Sequence, residues 1–168
     1  MLTNDLAAPC AGPSEPLPPE LEPDAHLIAR IINDFHVPHL AVLISAQDMA
    51  RRVEAVHADH FRAPLGLAAL LGTFFEILSV HQAREEAVLF PMMLRGARQL
   101  AAPIAMMDAD HDAVRAALVR LSDLTDEFTP PEDACGTWRA LYAQCRQFDQ
   151  DLREHIRLED EVLFPRFM

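Results

Sequence analysis

One eleven-residue pattern occurs twice in the chain, and each copy carries a histidine followed four residues later by a glutamate. The first copy, HQAREEAVLFP, begins at His81, and the second, HIRLEDEVLFP, begins at His155, 74 residues further on. Side chains four residues apart lie one above the other on the same face of a helix. Imidazole and carboxylate groups both bind transition-metal ions, so each copy predicts part of a metal site.

A single histidine precedes each copy at nearly the same distance. His36 lies 45 residues before His81, and His111 lies 44 residues before His155. This spacing indicates two related helical hairpins, each with one single histidine and one His-x-x-x-Glu. The predicted metal ligands are His36, His81, Glu85, His111, His155 and Glu159.

All six candidate ligands lie on apolar stripes at helical spacing. His111, for example, has Met107 one turn before it and Val114 one turn after it. Such residues share the inward face of a helix, where four imidazoles and two carboxylates are costly to bury without a partner. Two metal ions would be that partner, and mixed imidazole and carboxylate ligation favours iron or manganese. We expect Glu85 and Glu159 to bridge the ions, with two histidines on each, but the spacing leaves open which histidines share an ion.

Four amphipathic segments, separated by breaks that contain proline or glycine, carry these residues. Nothing alternates with period two over a sustained length, so no strand is predicted. The predicted helices cover residues 24–57, 65–94, 102–124 and 132–164. Long helices with short connections predict an all-α fold, an antiparallel up-down-up-down four-helix bundle. Pro38 lies inside the first helix and predicts a kink there, because an interior proline removes a backbone hydrogen bond.

The chain is expected to have two parts. Residues 1–23 contain six prolines, together with Cys10, and few large apolar residues. This composition predicts a flexible or extended leader. Residues 24–168 then form the bundle.

Composition and charge exclude several classes of function. The 168 residues are 51% hydrophobic and 24% charged, which is typical of one soluble globular domain. The net charge of −12 repels phosphate backbones, so we expect no nucleic-acid partner. Every cationic side chain is arginine, which excludes Schiff-base lysine chemistry and a lysine-containing phosphate loop.

The sequence also predicts a cytoplasmic protein without a membrane partner. No signal peptide is visible, and the apolar run at residues 64–75 is too short to cross a bilayer. The three cysteines have no paired spacing that suggests a disulfide, which suits a reducing compartment.

Some residues near the candidate ligands allow a second interpretation. His39 lies one turn from His36 and competes with it, because Pro38 between them alters the local rotation of the helix. Asp108, three residues before His111, is a candidate to orient an imidazole from outside the ligand set. The acidic residues that directly flank the ligands are interpreted as facing solvent: Glu86, Asp160 and Glu161.

Three stretches of the chain resemble the hemerythrin-like, HHE cation-binding proteins. They are HQAREEAVLFPMM at residues 81–93, DADHDA around His111, and DLREHIRLEDEVLFPR near the end. More narrowly, the chain resembles the repair-of-iron-centres subfamily, which includes nitric-oxide-binding, denitrification-linked members. The resemblance covers residues from about 24 to the end. It implies a four-helix bundle with two non-haem iron ions, oxo- or hydroxo-bridged, held by the same six residues.

The function implied by the resemblance is a response to nitrosative and oxidative stress. Such a protein would bind NO, supply iron for repair of damaged iron–sulfur client proteins, or do both. Oxygen-carrying hemerythrins use a fifth histidine one turn after the helix-3 histidine, where this chain has Arg115. Their last carboxylate is an aspartate five residues after the helix-4 histidine, which makes Asp160 a rival of Glu159. The alternatives are an oxygen-binding or sensing protein and a di-iron redox enzyme; enzymatic activity and oligomeric state stay open.

Overall fold

Four long helices dominate the part of the chain that the computed structural model describes, residues 17–168. Helix α1 is Asp24–Val56, α2 covers residues 67–94, α3 is Ala101–Leu124, and α4 covers residues 136–163. A short 3₁₀ helix, Pro19–Leu21, precedes α1, and another, Phe164–Phe167, continues from α4. The described residues contain no strand.

The helices pack as an antiparallel bundle. Helix α1 packs against α2 and α4, and α3 packs against the same two helices. Each helix is therefore in contact with its neighbours in the chain, and α1 and α4 close the ring. The predicted all-α four-helix bundle is confirmed.

Three of the helices widen into a π-helical turn where they carry candidate ligands. These turns are Ile32–His36 in α1, Glu85–Leu89 in α2 and Leu158–Leu163 in α4. A proline follows each of them by two residues, at Pro38, Pro91 and Pro165.

Proline explains both the position of these turns and the course of α1. Its ring collides with the carbonyl four residues earlier and it donates no hydrogen bond, so the preceding turn must open. The kink expected at Pro38 is accommodated in this way, and α1 continues through Pro38 to Val56. Helix α3 contains no such turn and has Ala113 at the position in its repeat that corresponds to Pro38.

The start of α4 differs from the sequence-based prediction. The helix begins at Gly136, with Cys135 as its N-cap, rather than at about residue 132. Asp126, Glu127 and Phe128 have positive φ values of 49°, 53° and 60°, so the chain reverses sharply after α3. The Pro130-Pro131 pair and a turn at residues 132–133 then delay the helix by about one turn.

Two apolar clusters fill the bundle, one on each side of the candidate ligands. One cluster includes Leu43, Phe74 and Trp138, and the other includes Ile31 and Phe164. Along α1, α2 and α3 the candidate ligands lie between the residues of the first cluster and those of the second, and on α4 they lie where the two clusters meet. The imidazoles and carboxylates thus form a polar layer across an otherwise apolar core.

Only part of the predicted leader lies within the described residues. Residues 1–16, including Cys10, lie outside them, so the domain boundary stays a prediction. The short helix Pro19–Leu21 is held by Arg166, whose guanidinium donates hydrogen bonds to the carbonyls of Pro19, Glu20 and Glu22 at 2.8–3.2 Å. The same guanidinium contacts Asp24 Oδ1 at 2.8 Å and so fixes the start of α1 to the end of the chain.

Helix α1 is long and apolar enough to cross a membrane, by length and composition alone. Its most apolar window has a mean hydropathy of 1.4, and 33% of that window is buried in the structure. Its inward face carries buried His36 and His39 and packs in the bundle.

Arg166→Ala should loosen the segment before α1. We expect the free energy of unfolding to fall by about 1–2 kcal/mol, because several hydrogen bonds to one partly buried charged group are lost. Chemical denaturation measures this change, and hydrogen exchange should show faster exchange at residues 19–24. The matched control is Arg51→Ala, which removes an exposed pair with Asp48 and should change stability by less than about 0.5 kcal/mol. Equal effects of the two variants would contradict the assignment.

Candidate metal centre

All six predicted ligands meet in the polar layer of the bundle. Their side chains are buried, with exposed fractions between 0% and 2%. They form two groups of four, and both groups contain the same two glutamates. Within each group, the candidate ligand atoms lie within 4.8 Å of one another. The groups are His36, Glu85, His155, Glu159 and His81, Glu85, His111, Glu159.

The structure pairs the histidines, which the sequence alone left open. His36 on α1 faces His155 on α4, with Nε2 atoms 3.1 Å apart. His81 on α2 faces His111 on α3, with Nε2 atoms 3.2 Å apart. Each pair joins neighbouring helices from different halves of the repeat. We name these the His36–His155 position and the His81–His111 position.

The two glutamates lie between the histidine pairs. Glu85 Oε2 is 3.5 Å from His36 Nε2 and 3.3 Å from His81 Nε2. Glu159 directs one oxygen to each pair, with Oε1 at 3.0 Å from His155 Nε2 and Oε2 at 3.2 Å from His111 Nε2. A carboxylate placed in this way can bridge two cations.

Neither glutamate has a hydrogen-bond partner among the described residues. Both side chains are 0% exposed, and all four carboxylate oxygens lack a donor. A buried carboxylate without a donor is strongly unfavourable unless a positive charge compensates it. The site therefore fits a pair of cations better than it fits a hydrogen-bonded polar core.

Charge competition within the layer appears in the pKa values of the two glutamates. Burial, reinforced by the nearby Glu159 carboxylate, raises the pKa of Glu85 well above its usual range. Burial acts on Glu159 in the same direction, but attraction from His155 and contacts from His111 and His36 lower its pKa well below the usual range. The same layer thus shifts the two carboxyl pKa values in opposite directions, and metal ions could compensate the charge of both.

The histidines on α2 and α3 respond to their surroundings in opposite directions. Burial lowers the pKa of His81 to about 4. Burial also disfavours protonation of His111, but the hydrogen bond to Asp160 and the nearby Glu159 carboxylate outweigh it and raise the pKa to about 9. The His111 Nε2 lone pair is thereby electron-rich and binds either a proton or a metal ion.

Two acidic residues interpreted as solvent-facing also contact the rings, so that interpretation is wrong for Asp160 and incomplete for Glu86, whose side chain is 44% exposed. Glu86 Oε1 lies 2.8 Å from His36 Nδ1, and Asp160 Oδ1 lies 2.8 Å from His111 Nδ1. Each acid follows a central glutamate directly and reaches a histidine on another helix. A carboxylate that accepts the Nδ1 proton leaves the Nε2 lone pair free and fixes the ring orientation.

The residue expected to orient an imidazole from α3 is also different. Asp110, not Asp108, faces a ring, with Oδ2 3.5 Å from His81 Nδ1. Asp108 is exposed and belongs to a third group with His111 and Asp160, on the Nδ1 side of that ring. The Nδ1 atom of His111 already faces Asp160, so we assign no metal ion to this group.

The two rival ligands lie outside both groups of four. His39 is buried, but neither of its ring nitrogens has a hydrogen-bond partner among the described residues, and burial lowers its pKa to about 3. Its ring lies between Phe148 and His155, at centroid distances of 5.5 Å from each. Asp160 supports His111 from outside the layer, as described above. The structure thus brings His36 and Glu159, rather than the two rivals, into the centre.

Comparison with known proteins gives a consistent result. The family described as the hemerythrin HHE cation binding domain matches residues 27–167. A protein named iron-sulfur cluster repair protein YtfE, from Yersinia pseudotuberculosis serotype O:1b, is 47% identical over 146 residues. A protein of the same name from Yersinia pestis strain Pestoides F is 46% identical over the same length. Each alignment covers 86% of this chain but 66% of the relative, so the chain spans slightly less than two thirds of these proteins.

Leucine substitution at His36 and His39 should separate a ligand from its rival. Both histidines are 2% exposed on the same helix, so one change serves as the control for the other. His36→Leu should abolish binding at one metal position. His39→Leu should retain both ions and increase the free energy of unfolding by about 1 kcal/mol, because a buried imidazole without partners is removed. Metal analysis and chemical denaturation measure both effects; loss of metal in the His39 variant alone would reverse the assignment.

Proposed function

The chain belongs to the hemerythrin HHE cation-binding family, and from this premise we propose that it is a non-haem di-iron protein that binds NO, supplies iron for repair of damaged iron–sulfur centres, or does both. The proposed ligands are the six residues of the polar layer: His36, His81, Glu85, His111, His155 and Glu159. The two glutamates would bridge the ions, with an oxo or hydroxo group as a further bridge.

One observation carries the proposal. Two histidine pairs face two shared glutamates whose four oxygens have no hydrogen-bond partner among the described residues. Each group of four offers two imidazoles and two carboxylates, a mixed donor set that suits iron, and no cysteine belongs to either group. Glutamates and histidines from facing helices are an established arrangement for di-iron centres in bundles.

The residues at the proposed centre have different roles. Glu85 and Glu159 would bring negative charge to both positions, and the four imidazoles would supply the nitrogen ligands. Glu86 and Asp160 hold two of the rings by Nδ1, and the apolar clusters on both sides exclude water. When bound, two iron ions supply redox chemistry and exchangeable positions for a small ligand such as NO.

The role in repair is proposed from the name of the relatives. That name, iron-sulfur cluster repair protein, belongs to proteins of which the chain spans 66%. We propose that iron–sulfur proteins are its clients and that it acts in the cytoplasm during nitrosative or oxidative stress. The net charge of −12 suits a protein that attracts cations and repels nucleic acid.

The position of Arg115 favours this function over reversible oxygen carriage. Arg115 occupies the place of the fifth histidine, and its guanidinium contacts Asp160 and also Asp112, the latter at 2.9 Å. It is 43% exposed and lies outside both ligand groups. The ions would therefore have fewer protein ligands and more positions open to exchange.

Iron-loaded protein should contain two iron ions per chain, one for each group of four ligands. Anaerobic addition of NO should change its absorption spectrum, because exchangeable positions are available. Transfer is tested by mixing the loaded protein with an enzyme whose iron–sulfur cluster has been damaged and measuring recovered activity. Recovery supports iron supply, whereas a spectral change without iron loss supports NO trapping. Iron-free protein, or one zinc ion held tightly, would contradict the proposal.

Glu85→Met should stabilise the metal-free protein and abolish two-metal binding. Removal of a buried carboxyl without a donor should increase the free energy of unfolding by about 1–3 kcal/mol in the presence of a chelator. The order should reverse with iron present, because binding stabilises only the unchanged chain. Denaturation with and without metal tests both statements. Glu161→Met, at a side chain that is 68% exposed, is the control and should change neither the stability nor the metal binding. A lower metal-free stability of the Glu85→Met variant would show that the carboxyl has a structural role instead.

A further inference from the structure

We propose that the two metal positions are unequal, and that the His81–His111 position holds its ion more tightly than the His36–His155 position. This inference rests on the proposed two-metal centre. It concerns the contacts behind the histidines, because the two positions share both glutamates and each has two imidazoles. Whatever distinguishes them must therefore come from the Nδ1 side of the rings.

Both rings at the His81–His111 position face carboxylates. His111 Nδ1 is 2.8 Å from Asp160 Oδ1, and His81 Nδ1 is 3.5 Å from Asp110 Oδ2. Neither acid is free to turn to solvent without breaking a second contact. Arg115 contacts Asp160, and Arg84 Nη1 donates to Asp110 Oδ2 at 3.0 Å. Each ring is thus held by a chain that runs from imidazole to carboxylate to guanidinium.

The His36–His155 position has only one such support. His36 Nδ1 is 2.8 Å from Glu86 Oε1, but the Glu86 side chain is 44% exposed and pairs with no arginine in the described part of the chain. His155 Nδ1 is buried and has no hydrogen-bond partner there. The ring of Phe35 stacks on His155 instead, at a centroid distance of 5.4 Å and an angle of 12°.

The missing acceptor at His155 comes from one place where the two halves of the repeat diverge. Asp110 directly precedes His111, whereas Phe35 directly precedes His36, the corresponding histidine of the first half. The two residues occupy equivalent positions in the repeat but make different contacts: Asp110 approaches Nδ1 of His81, whereas Phe35 stacks on the ring of His155. An aspartate in one half is therefore replaced by a phenylalanine in the other.

A carboxylate behind a metal-binding imidazole strengthens the bond to the metal in two ways. It accepts a hydrogen bond from Nδ1–H, which makes Nε2 a better electron donor, and it fixes the plane of the ring. Loss of such a partner typically lowers metal affinity by about 10–100-fold. The stacked Phe35 ring can restrain the plane of His155 but cannot accept its proton. The His36–His155 position should therefore have the higher dissociation constant for its ion, so at equilibrium it is the first to be empty as the free metal concentration falls.

Release rates also depend on the access of solvent to each position. A surface pocket of about 290 Å³ is lined by His81, Arg84 and Asp110, among other residues. The pocket borders the ring of His81 at the His81–His111 position. A route changes rates but does not change affinity, so the test must be made at equilibrium.

The test is anaerobic binding of Fe(II) to the full chain in competition with a ferrous chelator. The unchanged protein should bind two ions in two steps whose dissociation constants differ by about 10–100-fold. Asp110→Asn should weaken the tighter step, and Phe35→Asp should tighten the weaker step, because each variant removes or adds a carboxylate behind one ring. Each change should reduce the difference between the two dissociation constants: Asp110→Asn raises the lower constant, and Phe35→Asp lowers the higher one.

Phe35→Leu is the matched control for the second variant. It removes the stacked ring without adding an acceptor, so it should leave the weaker step unchanged or weaken it further. Circular dichroism establishes that each variant is folded, and Asp110→Asn decides the question if Phe35→Asp is unfolded. Two equal steps, or weakening of the looser step by Asp110→Asn, would overturn the inequality and leave the two-metal centre intact. Binding of fewer than two ions by the unchanged protein would overturn both.

Discussion

The burial of two carboxylates without hydrogen-bond donors is the constraint on which the rest of this structure depends. Glu85 and Glu159 are 0% exposed and lie between two apolar clusters. A polar layer of this kind costs stability unless positive charge enters it, and four imidazoles supply only part of that charge. The helices, their π-helical turns and the acids that contact the outer side of the rings (Glu86, Asp110 and Asp160) position the residues of this layer so that cations can occupy it.

The sequence predicts which six residues meet in the core because each of them obeys two independent patterns. His81 and Glu85 share a helix face, and the same spacing recurs at His155 and Glu159. The four-helix bundle was predictable from the length of the four helices and from the helical period of their apolar residues. Ligation itself stays a proposal, but the structure brings the six residues together as the spacing indicates. The pairing of the histidines was not predictable, since it depends on which helices become neighbours.

The outer acids were missed because helix periodicity assigns consecutive residues to different faces. Glu86 follows Glu85 and should point away from the layer in a regular helix, but the π-helical turn Glu85–Leu89 changes that geometry. The acid then reaches a ring on α1. A signal was present: the acidic pair Glu85-Glu86 recurs as Glu159-Asp160. Pro91 and Pro165 were a second signal, since each follows a wide turn by two residues.

The near-repeat of the chain explains how one centre can contain two different positions. A symmetric bundle gives each ion the same shared glutamates, so evolution can alter one position alone only through residues behind the rings. Phe35 and Asp110 are such residues, because each contacts a histidine from the other half of the repeat. A protein that only stores iron gains little from this difference. A protein that must release an ion while keeping its fold benefits, because the remaining ion still compensates the charge of Glu85 and Glu159.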